Sequence, residues 1–245
     1  MNGANNNSFY YWYPFVKDLS IPQPKTVLVP FPEDEVKKYL NPEYDVYIGK
    51  SVELAKKAIK ELGDKYPVFI RTDQSSGKHQ WDETCFVESE AKLEKCLCEI
   101  MLFNHLADMM GLPFTGFVVR EYIEMDSLYR AFGNMPVNSE RRYFIKDGKV
   151  ACHHPYWFEG AIGDCSYHKS PLPDNWKELS ARMNIESDTE IELLSEYANK
   201  IAQALEGFWS VDFCKAKDGT WYMIDMAMGE CSWHPDCVFK DSPND

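Results

Sequence analysis

The feature that most constrains the fold of this chain is a segment near its C-terminal end, residues 209–230, which reads WSVDFCKAKDGTWYMIDMAMGE. Two runs of alternating apolar and polar residues flank the dipeptide Asp218-Gly219. This pattern predicts a β-hairpin with a two-residue turn at the dipeptide. Counting outwards from such a turn sets Asp212 directly opposite Asp225, with both side chains on one face of the hairpin.

The opposition of Asp212 and Asp225 predicts a cation site. Directly opposed residues have Cβ atoms roughly 4.5–5.5 Å apart, and two negative charges at that distance repel by on the order of 3 kcal/mol at an effective dielectric constant of about 20. Mg²⁺ binds carboxylate oxygens together with substrate phosphates and would compensate this repulsion. Three alternatives stay open: one aspartate with a raised pKa, a nearby arginine, or a turn that pairs the strands in another register.

The charge and composition of the chain disfavour several classes of protein. Its 245 residues include 26 Lys and Arg and 39 Asp and Glu, and the net charge of -13 disfavours non-specific binding to nucleic acid. The N-terminal residues lack the pattern of a secretion signal, and no apolar run reaches the roughly 18 residues of a membrane span. A hydrophobic content of 44% is enough for a substantial core. We therefore expect a folded, soluble, cytoplasmic protein without a membrane partner.

The eight cysteines are scattered and show no disulfide framework, so we expect reduced thiols. A zinc site is an alternative, because Cys231, His234 and Cys237 form a C-x2-H-x2-C pattern. That spacing is not one of a common zinc module, and buried apolar cysteines are the preferred interpretation. Further candidate zinc ligands are Cys152, His153 and His154.

Apolar periodicity predicts the elements of the first half of the chain. Ser51 is the expected N-cap of a helix over about residues 52–62, which Gly63 ends. A strand over residues 66–71 follows and leads into the polar loop of residues 72–81.

A longer helix and a strand complete this half. The helix is capped by Ser89 and closed by Gly111 and Pro113. The strand, in the segment FTGFVVREYIE, is apolar until it reaches Arg120 and Glu121.

The second half begins with another hairpin, whose turn is predicted at Asp147-Gly148 and which sets Arg142 opposite His153. Residues 155–184 are rich in Pro, Gly, Trp and Asp, so we expect a long ordered loop or lid there.

A helix capped by Asp188 and ended by Gly207 then leads into the first hairpin described. The order of elements predicts an α+β chain of two lobes, each a sheet with covering helices. We expect a tail and lead-in segment over residues 1–49, an N-terminal lobe over 50–120, and a C-terminal lobe with the metal-binding hairpin over 121–245.

Two segments of the first lobe indicate an anion or nucleotide site. Arg71, Lys78 and His79 surround the small residues SSG directly after a strand, where backbone N–H groups can approach an anion. A solvated surface turn is the alternative. Arg120 and Glu121 form an ion pair on one interpretation; on another, the backbone of residues 121–123 is a hydrogen-bonding edge for a purine.

Taken in order, these segments resemble the ATP-grasp superfamily, over about residues 17–230. KDLSIPQPKT resembles the lead-in with a phosphate-contacting lysine, PVFIRTD the strand with a second phosphate-binding cation, and SSGK the loop over the triphosphate. VVREYIE resembles the adenine hinge, and ERRYFIKDGKV the strand pair that supplies an arginine to the γ-phosphate. The resemblance implies nucleotide contacts from Lys17, Arg71, Lys78, Glu121, Tyr122 and Ile123, and catalytic roles for Lys78 and Arg142.

VDF followed by MID resembles the last strand pair of the superfamily, whose acidic residues hold magnesium, here Asp212 and Asp225. The usual ligase ending has an asparagine where this chain has Ala227. Either Glu230 or water is therefore expected to complete the shell of the second metal, or only one metal binds well. No glutamate stands at the place expected for the ribose hydroxyls. Glu124 and Asp126 are the substitutes considered, and Asp126 is the one expected to bind the nucleotide.

The resemblance implies a two-lobed fold with Mg-ATP between the lobes. As in ligases of the superfamily, ATP would phosphorylate a carboxylate of a small molecule, peptide or protein to an acyl phosphate, which an amine then attacks. The chain further resembles the eukaryotic ATP-grasp assembly factor of a translation initiation factor, so an ATP-dependent assembly factor without ligase activity is an alternative. A metal-dependent hydrolase that uses the paired aspartates is another.

Overall fold

A computed structural model describes residues 6–30, 44–108, 115–165 and 168–235. The helices are α1 (Phe9–Val16), α2 (Tyr44–Glu61), α3 (Glu90–Asp108), α4 (Glu159–Gly163), α5 (Trp176–Met183) and α6 (Asp188–Ala204). The strands are β1 (Thr26–Pro30), β2 (Val68–Thr72), β3 (Phe86–Val87), β4 (Gly116–Glu121), β5 (Ser127–Ala131), β6 (Met135–Asn138), β7 (Glu140–Lys146), β8 (Lys149–Pro155), β9 (Trp209–Lys215) and β10 (Trp221–Met228).

The first sheet has the order β1-β4-β2-β3, and α2 and α3 pack against it. Ile59 of α2 and Leu97 of α3 share one core with Ile70 and Phe117 of the central strands, and all four are fully buried or nearly so. Burial of such side chains stabilises each by about 1.5–3 kcal/mol relative to exposure. The apolar faces of the two helices therefore cover one face of this sheet.

The second sheet has the order β10-β9-β7-β8, and its pairs are antiparallel. Tyr143 and Val211 point to one face of the sheet and pack against Leu194 and Ile201 of α6. Phe9 of α1 belongs to the same core. Because side chains alternate along a strand, the polar residues Arg142 and Asp212 lie on the opposite face of the sheet.

A third, two-stranded sheet of β5 and β6 was not predicted from the sequence. It packs with Trp81, Trp157 and α5 in a separate hydrophobic core. The strands are short and β6 contains Pro136, so the local pattern is weak.

Several predicted boundaries were wrong. Ser51 does not cap a helix, because α2 begins at Tyr44 and Ser51 is buried inside it. Ser187, one residue before the predicted cap, accepts a hydrogen bond from the backbone N–H of Glu190 and caps α6. Residues 155–184 are not a loop throughout, because they include α4 and α5.

The predicted closure of the long helix at Gly111 and Pro113 lies outside the described residues. The α+β arrangement with two four-stranded sheets agrees with the prediction.

The hairpin of β9 and β10 pairs Asp212 with Asp225 as predicted, but with a different turn and an additional bulge. Gly219, with φ of +89°, closes a three-residue loop in which its N–H donates to the carbonyl of Ala216. This loop places the register one residue away from the expected one, and a β-bulge between Met223 and Asp225 shifts it back.

The hairpin of β7 and β8 has the predicted turn, since Asp147 and Gly148 have φ of +53° and +78°. A second irregularity, between Phe144 and Ile145, shifts the pairing. The residue opposite Arg142 is therefore His154, and the prediction of His153 was wrong.

Residues Asn7 and Ser8 connect the two large sheets. The Asn7 side-chain oxygen accepts a hydrogen bond from the N–H of Met228 in β10 at 2.6 Å. The Ser8 hydroxyl caps α1 and donates to the buried carboxylate of Asp73, just after β2, at 2.6 Å.

None of the helices in the described part of the chain is both long and apolar enough to cross a lipid bilayer. The seven cysteines in that part form no disulfides, which agrees with the expectation of reduced thiols.

Candidate functional site

A cavity of about 450 Å³ lies between the first and second sheets, with part of the third sheet at its edge. Most of the residues predicted to bind the nucleotide or metal line this one cavity, although they come from strands far apart in sequence. They are Arg71, Lys78, Glu121, Tyr122, Ile123, Arg142, Asp212 and Asp225.

Three predicted site residues are placed elsewhere among the described residues. Lys17 follows the last turn of α1, is half exposed, and has its Nζ 4.0 Å from an Oδ2 of Asp18. Asp126 lies in the segment before β5, where its N–H donates to the carbonyl of Lys215. Glu230 is exposed in a 3₁₀ turn after β10. The structure does not bring these three into the lining of the cavity.

Four side chains form a row across the second sheet. His154 of β8 lies opposite Arg142 of β7, which in turn lies opposite Asp212 of β9. Asp225 of β10 completes the row opposite Asp212. The row depends on both bulges, because each bulge reverses which face of its strand points towards the cavity.

Each aspartate of the row has an arginine partner. Arg142 binds Asp212 through two parallel hydrogen bonds of 2.8 Å each. Burial by itself would lower the pKa of Arg142, but the Asp212 carboxylate outweighs burial and raises it. The Arg71 guanidinium lies 2.7 Å from the Asp225 carboxylate.

These contacts correct the expectation of uncompensated repulsion in the absence of a cation. A nearby arginine, one of the three alternatives from the sequence, neutralises each carboxylate.

Lys78 forms a third cation–carboxylate pair, with Glu140 of β7. Its Nζ lies 3.3 Å from an Oε1 of Glu140 and stands 4.2 Å from the ring centre of Tyr156 and 4.9 Å from that of Trp157. Burial lowers the pKa of Lys78, but the attraction of Glu140 raises it above its ordinary value. The proton of this pair therefore stays on the lysine.

Glu140 is a functional candidate that reasoning from the sequence missed. It is 3% exposed, and its other carboxylate oxygen accepts a hydrogen bond from the indole N–H of Trp157 at 3.0 Å. The available signal was its spacing: two residues before Arg142 on the same strand, it shares the face that lines the cavity.

Arg120 and Glu121 do not form an ion pair, because neighbouring residues of β4 point to opposite faces. The Arg120 guanidinium donates to the carbonyl of Ile224 at 2.6 Å and to the hydroxyl of Thr26 at 3.1 Å. Burial, together with the nearby Arg71, lowers the pKa of Arg120 to about 10, so it stays protonated at neutral pH. Glu121 instead accepts a hydrogen bond from the N–H of Lys25.

The backbone after β4 offers free hydrogen-bonding groups at the edge of the cavity. The N–H and C=O groups of Tyr122 and Ile123 make no hydrogen bonds with any residue in the described ranges. Phe69, Trp81 and Met135 supply apolar lining at the same cavity. Such an edge beside apolar side chains can bind a planar, partly polar ring.

The loop that carries Lys78 is held in place from two sides. Gly77 has φ of +59°, and its carbonyl accepts a hydrogen bond from the hydroxyl of Thr84 at 2.9 Å. From the third sheet, the N–H of Gly133 donates to the carbonyl of His79 at 2.7 Å. The position of the lysine therefore depends on the contact between the first and third sheets.

The residues of the cavity fit a nucleotide triphosphate with a divalent cation. Arg71, Lys78 and Arg142 can bind phosphate oxygens, and the carboxylates that now pair with them are hard oxygen ligands for Mg²⁺. The side-chain oxygen of Asn138, which lines the cavity, is buried and has no partner among the described residues. It can accept a hydrogen bond from a bound ligand.

No ready-made group of three His, Cys, Asp or Glu side chains that could hold a metal occurs in the described ranges. Mg²⁺ usually takes one or two protein carboxylates together with substrate phosphates and water, which the carboxylates of the cavity fit. The alternative zinc site is not assembled there either: Cys231 is exposed, and Cys237 lies outside the described residues.

Comparisons with known proteins identify the family. Residues 61–242 match an ATP-grasp domain family, the family numbered 3 within its clade. No curated protein sequence matches this chain.

Several solved structures have a similar fold. C-terminally truncated Cdc123 from Schizosaccharomyces pombe is 19% identical with a TM-score of 0.57, and the match covers 92% of this chain and 84% of that chain. A second structure of Cdc123 from the same organism is 18% identical with a TM-score of 0.52 and the same coverage. A biotin carboxylase complex with β-γ-ATP from Campylobacter jejuni is 16% identical with a TM-score of 0.50, covering 96% of this chain and 43% of that chain.

At these identities the structures show a common fold. The family match extends over more than half of the sequence and includes all the residues that line the cavity except Pro24 of the lead-in. The chain therefore belongs to this ATP-grasp domain family and is an ATP-binding protein with the α+β ATP-grasp fold that its motifs predicted.

Proposed function

We propose that this protein binds Mg-ATP in the cavity between its two large sheets and uses it to activate a carboxylate. The observation that carries the proposal is the set of three cation–carboxylate pairs that line one cavity: Arg71 with Asp225, Arg142 with Asp212, and Lys78 with Glu140.

The three pairs suit a ligand that carries both signs of charge. Phosphate oxygens take the place of the carboxylates beside the arginines and the lysine, and the released carboxylates bind Mg²⁺. Each charge keeps an opposite partner in the free and bound protein, so no buried charge is left uncompensated. The free hydrogen-bonding groups of Tyr122 and Ile123 support adenine at the other end of the cavity.

The reaction proposed is that of a carboxylate–amine ligase. An oxygen of the acceptor carboxylate attacks the γ-phosphorus, the bond from that phosphorus to the bridging oxygen breaks, and ADP leaves. An amine then attacks the carbonyl carbon of the acyl phosphate, inorganic phosphate leaves, and the nitrogen loses a proton. Lys78 and Arg142 stabilise the charge on the transferring phosphoryl group, and Mg²⁺ adds to this stabilisation when bound.

The acceptor is a small molecule, peptide or protein that carries a carboxylate. Arg71 and the lead-in residue Lys17 are proposed to contact phosphates, with Lys17 and Asp126 approaching only if the segments around them move. Glu230, exposed beside β10, is proposed as a third metal ligand on the same condition. We also propose a cytoplasmic location, which suits the reduced state expected for the cysteines.

An ATP-dependent assembly factor without ligase activity is the second candidate. Ala227 lines the cavity where the ligase ending has an asparagine, so one protein ligand for a second metal is missing. A protein that binds ATP to order its two lobes around a partner has no need of that ligand. A metal-dependent hydrolase is the third candidate and predicts no dependence on nucleotide.

Thermal denaturation with ATP, with GTP and without nucleotide, each with and without Mg²⁺, tests the proposal. Because Mg-ATP binds the native state alone, we expect it to raise the free energy of unfolding by roughly 2.7 kcal/mol at a concentration about 100 times Kd. No shift with any nucleotide would refute nucleotide binding and leave the hydrolase.

Product analysis then separates the two nucleotide-dependent candidates. ADP and phosphate formation that depends on both a carboxylate and an amine supports the ligase. Tight Mg-ATP binding without such stimulation, over a broad panel of acids and amines, favours the assembly factor.

A further inference from the structure

The bulge in β10 is contacted by two arginines of the first sheet. Arg71 binds the Asp225 side chain at 2.7 Å, and Arg120 donates to the backbone carbonyl of Ile224 at 2.6 Å. Ile224 is the extra residue of the bulge, because Met223 pairs with Phe213 and Asp225 with Asp212. One arginine therefore binds the side chain at this irregularity and the other its backbone.

The two arginines lie side by side in the first sheet. Arg120 pairs with Phe69, so Arg71, two residues further along β2, is its diagonal neighbour on the same face. Both guanidinium groups stand over the ring of Phe9, at 5.5 Å for Arg71 and 5.3 Å for Arg120. Both side chains are about 95% buried.

Their partners differ in kind. Arg71 pairs with a carboxylate, whereas Arg120 makes no ion pair with any carboxylate in the described ranges. The partners of Arg120 are an uncharged carbonyl and an uncharged hydroxyl. When ligand binds, Arg71 can therefore exchange the Asp225 carboxylate for a phosphate, and Asp225 can exchange Arg71 for a cation. The hydrogen bond of Arg120 to the backbone carbonyl is not part of this exchange.

We propose that Arg120 is a positioning residue that fixes the backbone of the Ile224 bulge and thereby keeps the Asp225 carboxylate directed into the cavity after Arg71 has moved to the phosphate. This inference rests on the proposed Mg-ATP site. Arg120 then acts on the metal ligand Asp225 through the backbone of the bulge and does not bind the phosphates.

The position of the bulge explains why such a residue is needed. If β9 and β10 kept the register of the hairpin tip without a bulge, Ile224 would lie opposite Asp212. Asp225 would then point towards the core on the other face of the sheet. Asp225 is 34% exposed in its side chain, and of the two aspartates it has the fewer contacts with arginine. Once Arg71 leaves, the local backbone is the part of the protein that sets its direction.

The test is metal-dependent ATP binding measured by calorimetry, with Mg²⁺ and with Mn²⁺, in wild type and Arg120→Gln. Loss of a group that orients a metal ligand typically lowers metal affinity by about 10–100-fold. We therefore expect the metal concentration that gives half-maximal ATP binding to rise by at least about tenfold in Arg120→Gln. ATP affinity without metal should stay within about twofold of wild type, because Arg120, which also lines the cavity, stays bound in wild type to the carbonyl of Ile224.

Two further variants make the test specific. Deletion of Ile224 removes the bulge and leaves Asp225 opposite Asp212 by regular pairing, so the metal requirement of this variant should stay near that of wild type. In the deletion background, Arg120→Gln should no longer raise the metal requirement, because the contact that it removes is already absent. Thr26→Val removes the other hydrogen bond of Arg120, together with the one that the Thr26 hydroxyl donates to the carbonyl of Pro24. It leaves the contact with the Ile224 carbonyl intact and is the matched control, with an unchanged metal requirement.

A readout that does not require the bound ligand is amide hydrogen exchange of the free protein at residues 224–226, which should be faster in Arg120→Gln. If that variant does not fold, Arg120→Lys answers the same question, with the same separation between metal requirement and metal-free ATP affinity.

An unchanged metal requirement, or an equal loss of ATP affinity with and without metal, overturns the inference. Failure of wild type to bind Mg-ATP at all is a different result: it refutes the proposed function, and the exchange measurement still decides whether Arg120 fixes the bulge.

Discussion

Asp212 and Asp225 lie opposite each other but differ in how firmly each is held. Asp212 makes two hydrogen bonds with Arg142 and its side chain is 8% exposed. Asp225 makes one contact with Arg71 and its side chain is 34% exposed. The more exposed carboxylate is also the easier one to redirect towards a cation, since less of its environment must be rearranged.

This difference predicts unequal losses of stability for the two substitutions. Asp212→Asn leaves the largely buried Arg142 without its partner and should lower the free energy of unfolding of the metal-free protein by roughly 3–5 kcal/mol. Asp225→Asn should cost less, about 1–3 kcal/mol, because Arg71 is buried but solvent reaches the Asp225 carboxylate. Both variants should lose Mg²⁺-dependent ATP binding. Urea denaturation without metal measures the stabilities.

Asp174→Asn, at an exposed site away from the cavity, is the control and should change neither quantity. A metal-free protein that becomes more stable on loss of either cavity carboxylate contradicts the ion-pair interpretation.

His154 ends the row on β8 as a buried neutral imidazole. Its Nδ1 lies 2.7 Å from the carbonyl of Pro155, which can only accept, so Nδ1 carries the proton. Its Nε2 is buried without a hydrogen-bond partner in the described ranges. Burial lowers the pKa of His154, and the hydrogen bond with the Pro155 carbonyl opposes this effect. The positive charge of Arg142 lowers the pKa further, against the smaller effects of Asp212 and Glu186.

Because its pKa is lowered in the folded protein, His154 makes a contribution to the free energy of unfolding that depends on pH. Because the unfolded chain binds the proton more readily, this contribution is complete above the unfolded pKa of about 6.5 and is lost as the pH falls towards the folded pKa. His154→Gln should therefore reduce the loss of stability of wild type below about pH 6.5. His79, whose pKa burial also lowers, keeps its own contribution in the variant. Denaturation curves from pH 7.5 to 5 that differ by a constant amount would contradict this.

At the scale of elements, turns could be predicted from the sequence more reliably than bulges. Asp147-Gly148 forms the expected turn because both residues tolerate positive φ, a local property. The bulge at Ile224 is bound by Arg120, a residue of a different sheet, which no local pattern contains. The predicted pairing of Asp212 with Asp225 was correct only because the longer turn and the bulge shift the register in opposite directions.

The third sheet gives a prediction about the loop that carries Lys78. A Cβ at Gly133 would lie 2.6 Å from the carbonyl oxygen of His79 and 2.9 Å from the Cα of Gln80, both backbone atoms that cannot rotate away. Gly133→Ala should displace this loop, lower the free energy of unfolding by roughly 1–3 kcal/mol and weaken Mg-ATP binding. Thermal denaturation and calorimetry measure the two effects.

Gly49→Ala is the control for that substitution. Gly49 lies in α2 with nothing within 4 Å of an added Cβ, so the change should stabilise the protein by roughly 0.5–1 kcal/mol and leave ATP binding unaltered. Unchanged ATP binding in Gly133→Ala would show that the third sheet does not position Lys78.

At the scale of the whole molecule, the two-lobed plan and most of the cavity followed from the order of motifs. Arg71, Lys78, Arg142 and the aspartate pair all line one cavity. Arg71 and Lys78 lie near the end of β2 and in the loop after it, whereas Arg142 and the aspartates lie on one face of the second sheet. Glu140 was missed because its place two residues before Arg142 indicates a shared strand face but does not by itself indicate a function. The third sheet was missed because its strands gain their apolar partners from segments distant in sequence.

The two contacts made by Asn7 and Ser8 have a mechanical consequence for the cavity. Asn7 binds Met228 in the second sheet, and Ser8 binds Asp73 beside the first. The Cα atoms of two consecutive residues are only about 3.8 Å apart. The two sheets are thus held at a fixed distance where residues 7 and 8 join them. Widening of the cavity to admit a ligand must be a rotation about an axis near residues 7–8, with the largest displacement at the edge farthest from them.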